Sequence, residues 1–215
     1  MTSLYLKSRL TITILRRKIT QGLPGAVVWT LKGSQVPAPN YIKWRTLAGK
    51  FNRNSICIET GTYLGETTRW LSKKFPRIIS LEPEEILCNF ARDRFKRNTN
   101  ITILNGSSEE LFADVLEKIE VGSNVNFWLD GHFSDGITYK GQSNTPLIEE
   151  LSNIKSNLRR FNRVVIAIDD FRDFKQENEL GYPARSWLVE WAENNDFSWD
   201  VRNDIFFMEN AGVYK

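Results

Sequence analysis

Residues 55–66 have the sequence Ser-Ile-Cys-Ile-Glu-Thr-Gly-Thr-Tyr-Leu-Gly-Glu, in which a short apolar run leads into an acid and two glycines. The run predicts a buried strand that ends at Glu59, and residues 66–75 predict the helix that follows it. Gly61 would let a ligand approach the backbone amides of the turn, and Gly65 would let the helix begin close to the strand. The turn has neither the G-x-G-x-x-G spacing of a dinucleotide site nor the G-K-S/T of a P-loop. A purely structural turn and a ligand-binding turn therefore both remain open.

The strand–helix alternation seen here continues along the chain. Predicted strands cover 55–59, 77–82, 101–104, 125–130 and 163–169, and predicted helices cover 41–51, 66–75, 84–97, 107–119, 146–160 and 182–194. Asn203-Asp204, between the segments 197–202 and 205–209, is a hairpin signal. This order predicts an α/β fold with a doubly wound, Rossmann-like sheet, mainly parallel and ending in an antiparallel hairpin.

Composition limits the class of protein. The chain has 215 residues, 41% of them hydrophobic, which suits one domain with an extension. It contains no apolar run of about 18 residues, so no membrane span is expected. Cys57 and Cys88 are too few for a disulfide framework or a structural zinc site. With no signal-peptide pattern in the basic start of the chain, the expected location is the cytoplasm.

The first part of the chain differs in charge from the rest. Residues 1–58 hold ten basic and no acidic side chains, whereas the remainder holds nineteen basic and twenty-six acidic ones. Breaker clusters at 22–25 and 36–39 predict a basic extension over 1–40, a short helix or strand followed by loops, before a domain over 41–215. The extension could meet an anionic partner, namely nucleic acid, a phosphorylated glycan or a membrane surface. Packing back on the acidic body is favoured, because the extension lacks the dense Lys/Arg block of nucleic-acid tails, and nucleic acid is not expected as a partner.

Acids end four of the predicted strands, at Glu59, Glu82, Asp130 and Asp169. In doubly wound sheets, ligands bind beyond the carboxyl ends of the strands. Glu82 lies about twenty residues after the glycine turn, where an acid can bond both ribose hydroxyls of a nucleoside. Ser107 and Ser108, after the third strand, could meet an adenine edge or simply cap a helix.

Three carboxylates, Asp130, Asp169 and Asp170, fall at two strand ends that are expected to be neighbours. Clustered carboxylates repel one another unless they are protonated or neutralised, and oxygen ligands suit Mg²⁺ or Mn²⁺. Asp170 could instead point away, because adjacent strand residues face opposite sides, and Asp169 could pair with Arg172. His132 is the only histidine, and it could be a general base, a further ligand or a polar residue lining the site.

These motifs together resemble a known family. Glu59-Thr-Gly-Thr-Tyr-Leu-Gly65, Glu82, Phe-Trp-Leu-Asp130-Gly-His132 and Ile-Asp169-Asp170-Phe-Arg172 are similar to motifs of class I S-adenosylmethionine-dependent methyltransferases. More narrowly, the sequence resembles a poorly characterised bacterial branch of this family with Asp-Gly-His and Asp-Asp strand ends. It extends over about residues 36–210 and leaves the first 35 unexplained.

The resemblance implies roles for individual residues. The methionine part of S-adenosylmethionine would be held by Glu59, Gly61 and the turn of Thr62, Tyr63 and Gly65, with Glu82 at the ribose. Ser107 or Ser108 would lie at the adenine, where Gly106 replaces an acid common in the branch, and Asp130 would also contact the cofactor. Asp130, Asp169 and Asp170 resemble the magnesium ligands of catechol-type and sugar or antibiotic O-methyltransferases, so Mg²⁺ or Mn²⁺ is a candidate cofactor.

The expected activity is therefore transfer of a methyl group to a hydroxyl of a small molecule or glycan, with His132, Asp130 or Lys140 as candidate catalytic groups. A homo-oligomer is compatible with the sequence. Two alternatives stay open. A metal-dependent hydrolase would use the same carboxylates but leaves Gly61 and Glu82 unexplained, and a non-catalytic binding module would use the basic extension.

Overall fold

The computed structural model describes residues 2–130, 146–175 and 182–210, with the backbone alone for 2–8. The described α-helices are α1 (Thr2–Thr20), α2 (Leu23–Leu31), α3 (Asn40–Lys50), α4 (Glu66–Leu71), α5 (Glu85–Phe95), α6 (Ser108–Glu117), α7 (Leu147–Asn157) and α8 (Arg185–Glu193). The strands are β1 (Ile56–Thr60), β2 (Arg77–Glu82), β3 (Ile101–Asn105), β4 (Asn124–Leu129), β5 (Arg163–Ile168), β6 (Ser198–Arg202) and β7 (Ile205–Asn210).

All seven strands form one sheet in the order β3-β2-β1-β4-β5-β7-β6. The first five strands are parallel, and β7 joins β5 antiparallel and pairs with β6 as a hairpin. Asn203 and Asp204 form its turn with φ of 50° and 68°, the left-handed conformation that such tight turns require. The predicted doubly wound sheet with a C-terminal hairpin is confirmed. Its order reverses between β1 and β4, the point where ligands bind in this architecture.

Helices cover both faces of the sheet because strand side chains alternate in direction. In β4, Phe127 and Leu129 face a cluster shared with α6, α7 and α8, whereas Trp128 faces a cluster shared with α3 and α4. Leu47 of α3 and Leu71 of α4 are fully buried in the second cluster. With both faces covered, the carboxyl edge of the parallel strands is where polar side chains gather.

The extension is more regular than the sequence predicted. Residues 23–31, predicted to be a breaker cluster and loop, form α2, because Pro24 lies in the first turn, where a missing backbone N–H costs nothing. Leu10 of α1 is buried against Leu64 and Leu87, so the extension packs back on the body. No helix in the described part of the chain combines the length and apolar character needed to cross a membrane.

Candidate functional site

The glycine turn after β1 closes on the neighbouring strand. The amides of Gly61 and Thr62 both donate to the carbonyl oxygen of Leu81, at 3.0 and 3.2 Å. Gly65 has a φ of 70°, and a Cβ there would lie 2.6 Å from the ring of Phe95. Glycine is thus required for the turn itself and for close packing of α5, and these two amides are already bonded within the protein.

Glu59 lies beneath this turn in a network of hydroxyl groups. Its Oε2 accepts hydrogen bonds from Thr68 at 2.5 Å and from Ser80 at 2.6 Å, and the Ser80 hydroxyl also meets that of Thr62 at 2.6 Å. Burial raises the pKa of Glu59 to about 7, although the two hydroxyl donors lower it. A cation bound nearby would favour the charged form of this carboxyl.

Glu82 ends β2 directly beside the same turn and is only 3% exposed. Its two oxygens accept the backbone N–H groups of Tyr63 at 2.6 Å and Glu84 at 3.0 Å. Burial raises the pKa of Glu82, and these two amides lower it. The structure therefore brings together Glu82 and the glycine turn, as the sequence predicted.

The three aspartates at the ends of β4 and β5 also meet. Asp130, Asp169 and Asp170 each place a carboxylate oxygen within 4.8 Å of the others. Asp170 adopts a left-handed conformation with φ of 54°, which turns it back instead of letting it point away from Asp169. Arg172, which the sequence suggested as a partner of Asp169, pairs instead with Asp170 at 2.8 Å, with Asp173 at 3.7 Å and with Asp204.

A lysine that the sequence analysis missed lies in this cluster. Lys43 of α3 places its Nζ 2.5 Å from Asp169 Oδ2 and 3.2 Å from Asp170 Oδ1, and the residue is only 8% exposed. Lys43 lies one helical turn before the buried Leu47, and therefore on the core-facing side of α3. A lysine on the apolar face of a helix was the signal in the sequence, because such a lysine needs a buried partner.

The charges in the cluster shift one another. Burial alone would lower the pKa of Lys43, but Asp169, Asp170 and Asp130 raise it above its ordinary value. Burial raises the pKa of Asp169 to about 6, against the lowering effect of Lys43. Burial and the charge of Asp169 also raise the pKa of Asp130. The cluster is thus a group of acids held by one buried cation. The Asp130 carboxylate is a stronger base than that of an ordinary aspartate.

The expected divalent metal does not fit this arrangement as it stands. Its predicted ligands are together, but the Lys43 ammonium occupies oxygens of both Asp169 and Asp170. A metal ion at these oxygens would have to displace a buried ammonium group. The repulsion among the three carboxylates, on which the prediction of a metal depended, is already relieved by Lys43.

A second buried acid, also missed, lies in α7, which packs on the opposite face of the sheet from α3. Glu150 of α7 is 2% exposed and lies near the hydroxyls of Thr60 and Ser108. The hydroxyls of Thr60 and Ser108 act on Glu150 as hydrogen-bond donors that lower its pKa, but among the described residues neither Glu150 Oε1 nor Thr60 Oγ1 makes a hydrogen bond of good geometry. Ser107 caps α6 through a reciprocal bond pair with Glu110. Buried polar atoms without a well-formed hydrogen bond beside the end of β1 leave hydrogen-bonding capacity for a polar ligand there.

The acid Glu150 should make stability depend on pH. Burial raises its pKa to about 7 from 4.5, so the stability it contributes is fully present below pH 4.5 and is lost as the pH rises through 7. Glu150→Gln removes the ionisation, and we expect it to raise the free energy of unfolding at pH 8 by up to about 3 kcal/mol, with little effect at pH 5. Urea unfolding at both pH values measures this. Glu149→Gln, at the exposed neighbouring position, is the control, and equal pH dependence in the wild type and Glu150→Gln would contradict the prediction.

Two predicted catalytic residues, His132 and Lys140, lie outside the described residues. Their roles stay predictions.

No protein-family model and no curated protein matches the sequence. Solved structures do match the fold. One, a protein from Streptococcus mutans assigned as a methyltransferase and in complex with SAH, is 14% identical with a TM-score of 0.52, over 81% of this chain and 98% of that chain. Another, a protein from Clostridium thermocellum assigned as an rRNA methylase, is 9% identical with a TM-score of 0.52, over 78% of this chain and 93% of that chain. The chain therefore has the Rossmann-like fold of class I methyltransferases.

Proposed function

We propose that this protein is an S-adenosylmethionine-dependent methyltransferase that methylates a hydroxyl of a small molecule or sugar. The observation that carries the proposal is the buried Glu82 carboxylate, set beside the glycine turn at the end of β2. An acid at this place in a doubly wound sheet suits the ribose of a nucleoside. The fold shared with a protein solved with SAH supports the same ligand class.

The nucleoside end of the cofactor would lie across the carboxyl ends of β1, β2 and β3. Glu82 would accept ribose hydroxyls, and Ser107 and Ser108 would border the adenine. Thr60 Oγ1 and Glu150 Oε1, which make no hydrogen bond of good geometry among the described residues, would lie near this end of the cofactor and suit a polar ligand.

The methionine end would lie at the turn made by Gly61, Thr62, Tyr63 and Gly65. Because the amides of Gly61 and Thr62 donate hydrogen bonds to Leu81, these residues would shape the turn around the ligand and would not donate their amides to it. Glu59, with its pKa of about 7, would favour a positively charged group beside the turn.

The acceptor would lie at the acid cluster. When bound, the cofactor supplies a methyl group on a sulfonium sulfur, ready for in-line displacement. The sulfur would leave as the neutral thioether when the acceptor oxygen takes the methyl group. Asp130, whose pKa is raised by burial and by Asp169, would accept the proton of that acceptor hydroxyl. Lys43 and Asp169 would orient a polar acceptor, with proximity supplying much of the rate. No part of this proposal uses a metal.

Calorimetric titration with S-adenosylhomocysteine, with and without Mg²⁺, tests the function. We expect saturable binding of equal affinity in both conditions, because Lys43 already neutralises the acids. Absence of binding in both conditions would contradict the methyltransferase proposal. Mg²⁺ binding without S-adenosylhomocysteine binding would instead favour the hydrolase, and tighter binding with Mg²⁺ would favour a metal-assisted enzyme.

A further inference from the structure

The N-terminal extension exposes an unusual concentration of apolar side chains. In the described structure, eight of the thirteen large hydrophobic residues with high exposure fall between residues 12 and 36. The other five are spread over the rest of the chain. Exposed apolar residues that cluster in this way mark a surface that contacts a membrane or another protein.

These residues form stripes at helical spacing. Ile12, Leu15 and Ile19 of α1 are 53%, 62% and 61% exposed and recur at i, i+3 and i+7, so they share one side of the helix. Leu10, which lies on the opposite side, is the residue that anchors α1 to the body. The stripe of Ile12, Leu15 and Ile19, called the α1 stripe below, therefore faces away from the core.

The second helix shows the same arrangement. Leu23, Val27 and Leu31 of α2 recur at i, i+4 and i+8 and are 56%, 52% and 82% exposed. Ala26, on another side of α2, is buried, and α1 and α2 pack against each other. Both helices thus use one side for attachment and leave an apolar side in contact with water.

Basic side chains border the α1 stripe. Arg9 and Arg16 are exposed and lie three residues before and four residues after Ile12, and the exposed Lys18 lies three residues after Leu15. No acidic residue occurs in residues 1–58, so the extension itself carries a net positive charge. Arg17 points the other way and pairs with Glu66 at 2.6 Å, which adds a second attachment to the body.

We propose that the α1–α2 extension binds the surface of an anionic lipid bilayer, with the apolar stripes in the acyl boundary and Arg9, Arg16 and Lys18 at the head groups. A helix with an apolar stripe and basic borders suits this environment, because both kinds of side chain are used at once. Nucleic acid would neutralise the basic residues but leave the apolar stripes in water. A second copy docked through the same surface would place like charges opposite one another.

Co-sedimentation of the full-length protein with vesicles tests the proposal. The vesicles are phosphatidylcholine alone or phosphatidylcholine mixed with phosphatidylglycerol. We expect at least about tenfold stronger binding to the anionic vesicles, falling as salt is added. Ile12→Ser/Leu15→Ser/Ile19→Ser should abolish that binding, and Arg9→Gln/Arg16→Gln/Lys18→Gln should remove the preference for phosphatidylglycerol.

Matched controls change exposed residues elsewhere. Val121→Ser/Ile148→Ser and Lys73→Gln/Lys118→Gln/Lys155→Gln should bind vesicles like the wild type. Circular dichroism checks that each variant is folded, and the single change Leu15→Ser, at a residue 62% exposed, replaces the triple variant if that variant is not folded.

The proposal is overturned if the wild type does not bind anionic vesicles, or if the stripe variant binds them equally well. Binding to single-stranded RNA without vesicle binding would reassign the basic residues to nucleic acid. Self-association without vesicle binding, if lost in the stripe variant on sedimentation velocity, would reassign the stripes to a contact between copies.

Discussion

Lys43→Met is expected to lower the free energy of unfolding by about 3–5 kcal/mol at pH 8, the cost of leaving buried charges without their partner. The substitution keeps the length of the side chain but removes the ammonium that lies 2.5 Å from Asp169 and 3.2 Å from Asp170. Arg172 remains on Asp170, so Asp169 and Asp130 bear most of the loss. Urea unfolding of the variant and the wild type measures the difference.

The pH dependence distinguishes lost charge compensation from lost packing. The pKa of Asp169 is about 6 with Lys43 in place, above its ordinary value, and removing Lys43 raises it further. Acids with raised pKa values destabilise the fold as the pH rises, so the deficit of the variant should shrink from pH 8 to pH 5. Lys43→Met/Asp169→Asn should recover part of the stability.

Lys50→Met is the matched control for this experiment. Lys50 also lies on α3, but its 2.7 Å ion pair with Asp200 is partly exposed to solvent, and a change of at most about 1 kcal/mol is expected. An equal deficit for Lys43→Met at pH 5 and pH 8 would contradict the assignment of the loss to the charge of Lys43.

The fold could be predicted because its signals are local. Alternating strand and helix patterns, the glycine turn at Gly61 and the hairpin residues Asn203-Asp204 each specify a backbone conformation within a few residues. The parallel order then brings the strand-end acids to one edge, which made the grouping of Asp130 with Asp169 predictable.

The partners of these acids could not be predicted, because they come from distant parts of the chain. Lys43 lies 126 residues before Asp169, and the helical pattern of residues 41–51 carries no information on that pairing. Glu150, beside the exposed Glu149, has the appearance of an ordinary acid in a first helical turn, and only packing against Thr60 and Ser108 shows its burial. Asp170 joined the cluster through a left-handed backbone conformation that its sequence does not specify.

At Pro24 the sequence predicted a loop where the structure has a helix. A proline and glycine pair after Gly22 predicted a loop, but proline is tolerated in the first helical turn, so α2 begins there. That helix carries part of the apolar surface proposed to meet a bilayer, which the sequence analysis had placed in a loop.

Glu82→Ala is expected to weaken S-adenosylhomocysteine binding by about 1.5–3 kcal/mol for each charge-assisted hydrogen bond lost, which is more than tenfold in Kd. The change also removes the hydrogen bonds that Glu82 accepts from the Tyr63 and Glu84 amides. A loss of affinity alone therefore does not distinguish a ribose contact from support of the turn. Calorimetry with S-adenosylhomocysteine and its 2′-deoxy analogue separates the two.

If Glu82 binds the ribose, the wild type should bind the 2′-deoxy analogue more weakly than the parent ligand, and Glu82→Ala should bind the two almost equally. If Glu82 only supports the turn at Tyr63, the variant should lose the same factor for both ligands, and the ribose assignment would be wrong. Glu85→Ala is the control, because this acid begins α5 three residues away and is exposed, so it should bind both ligands like the wild type.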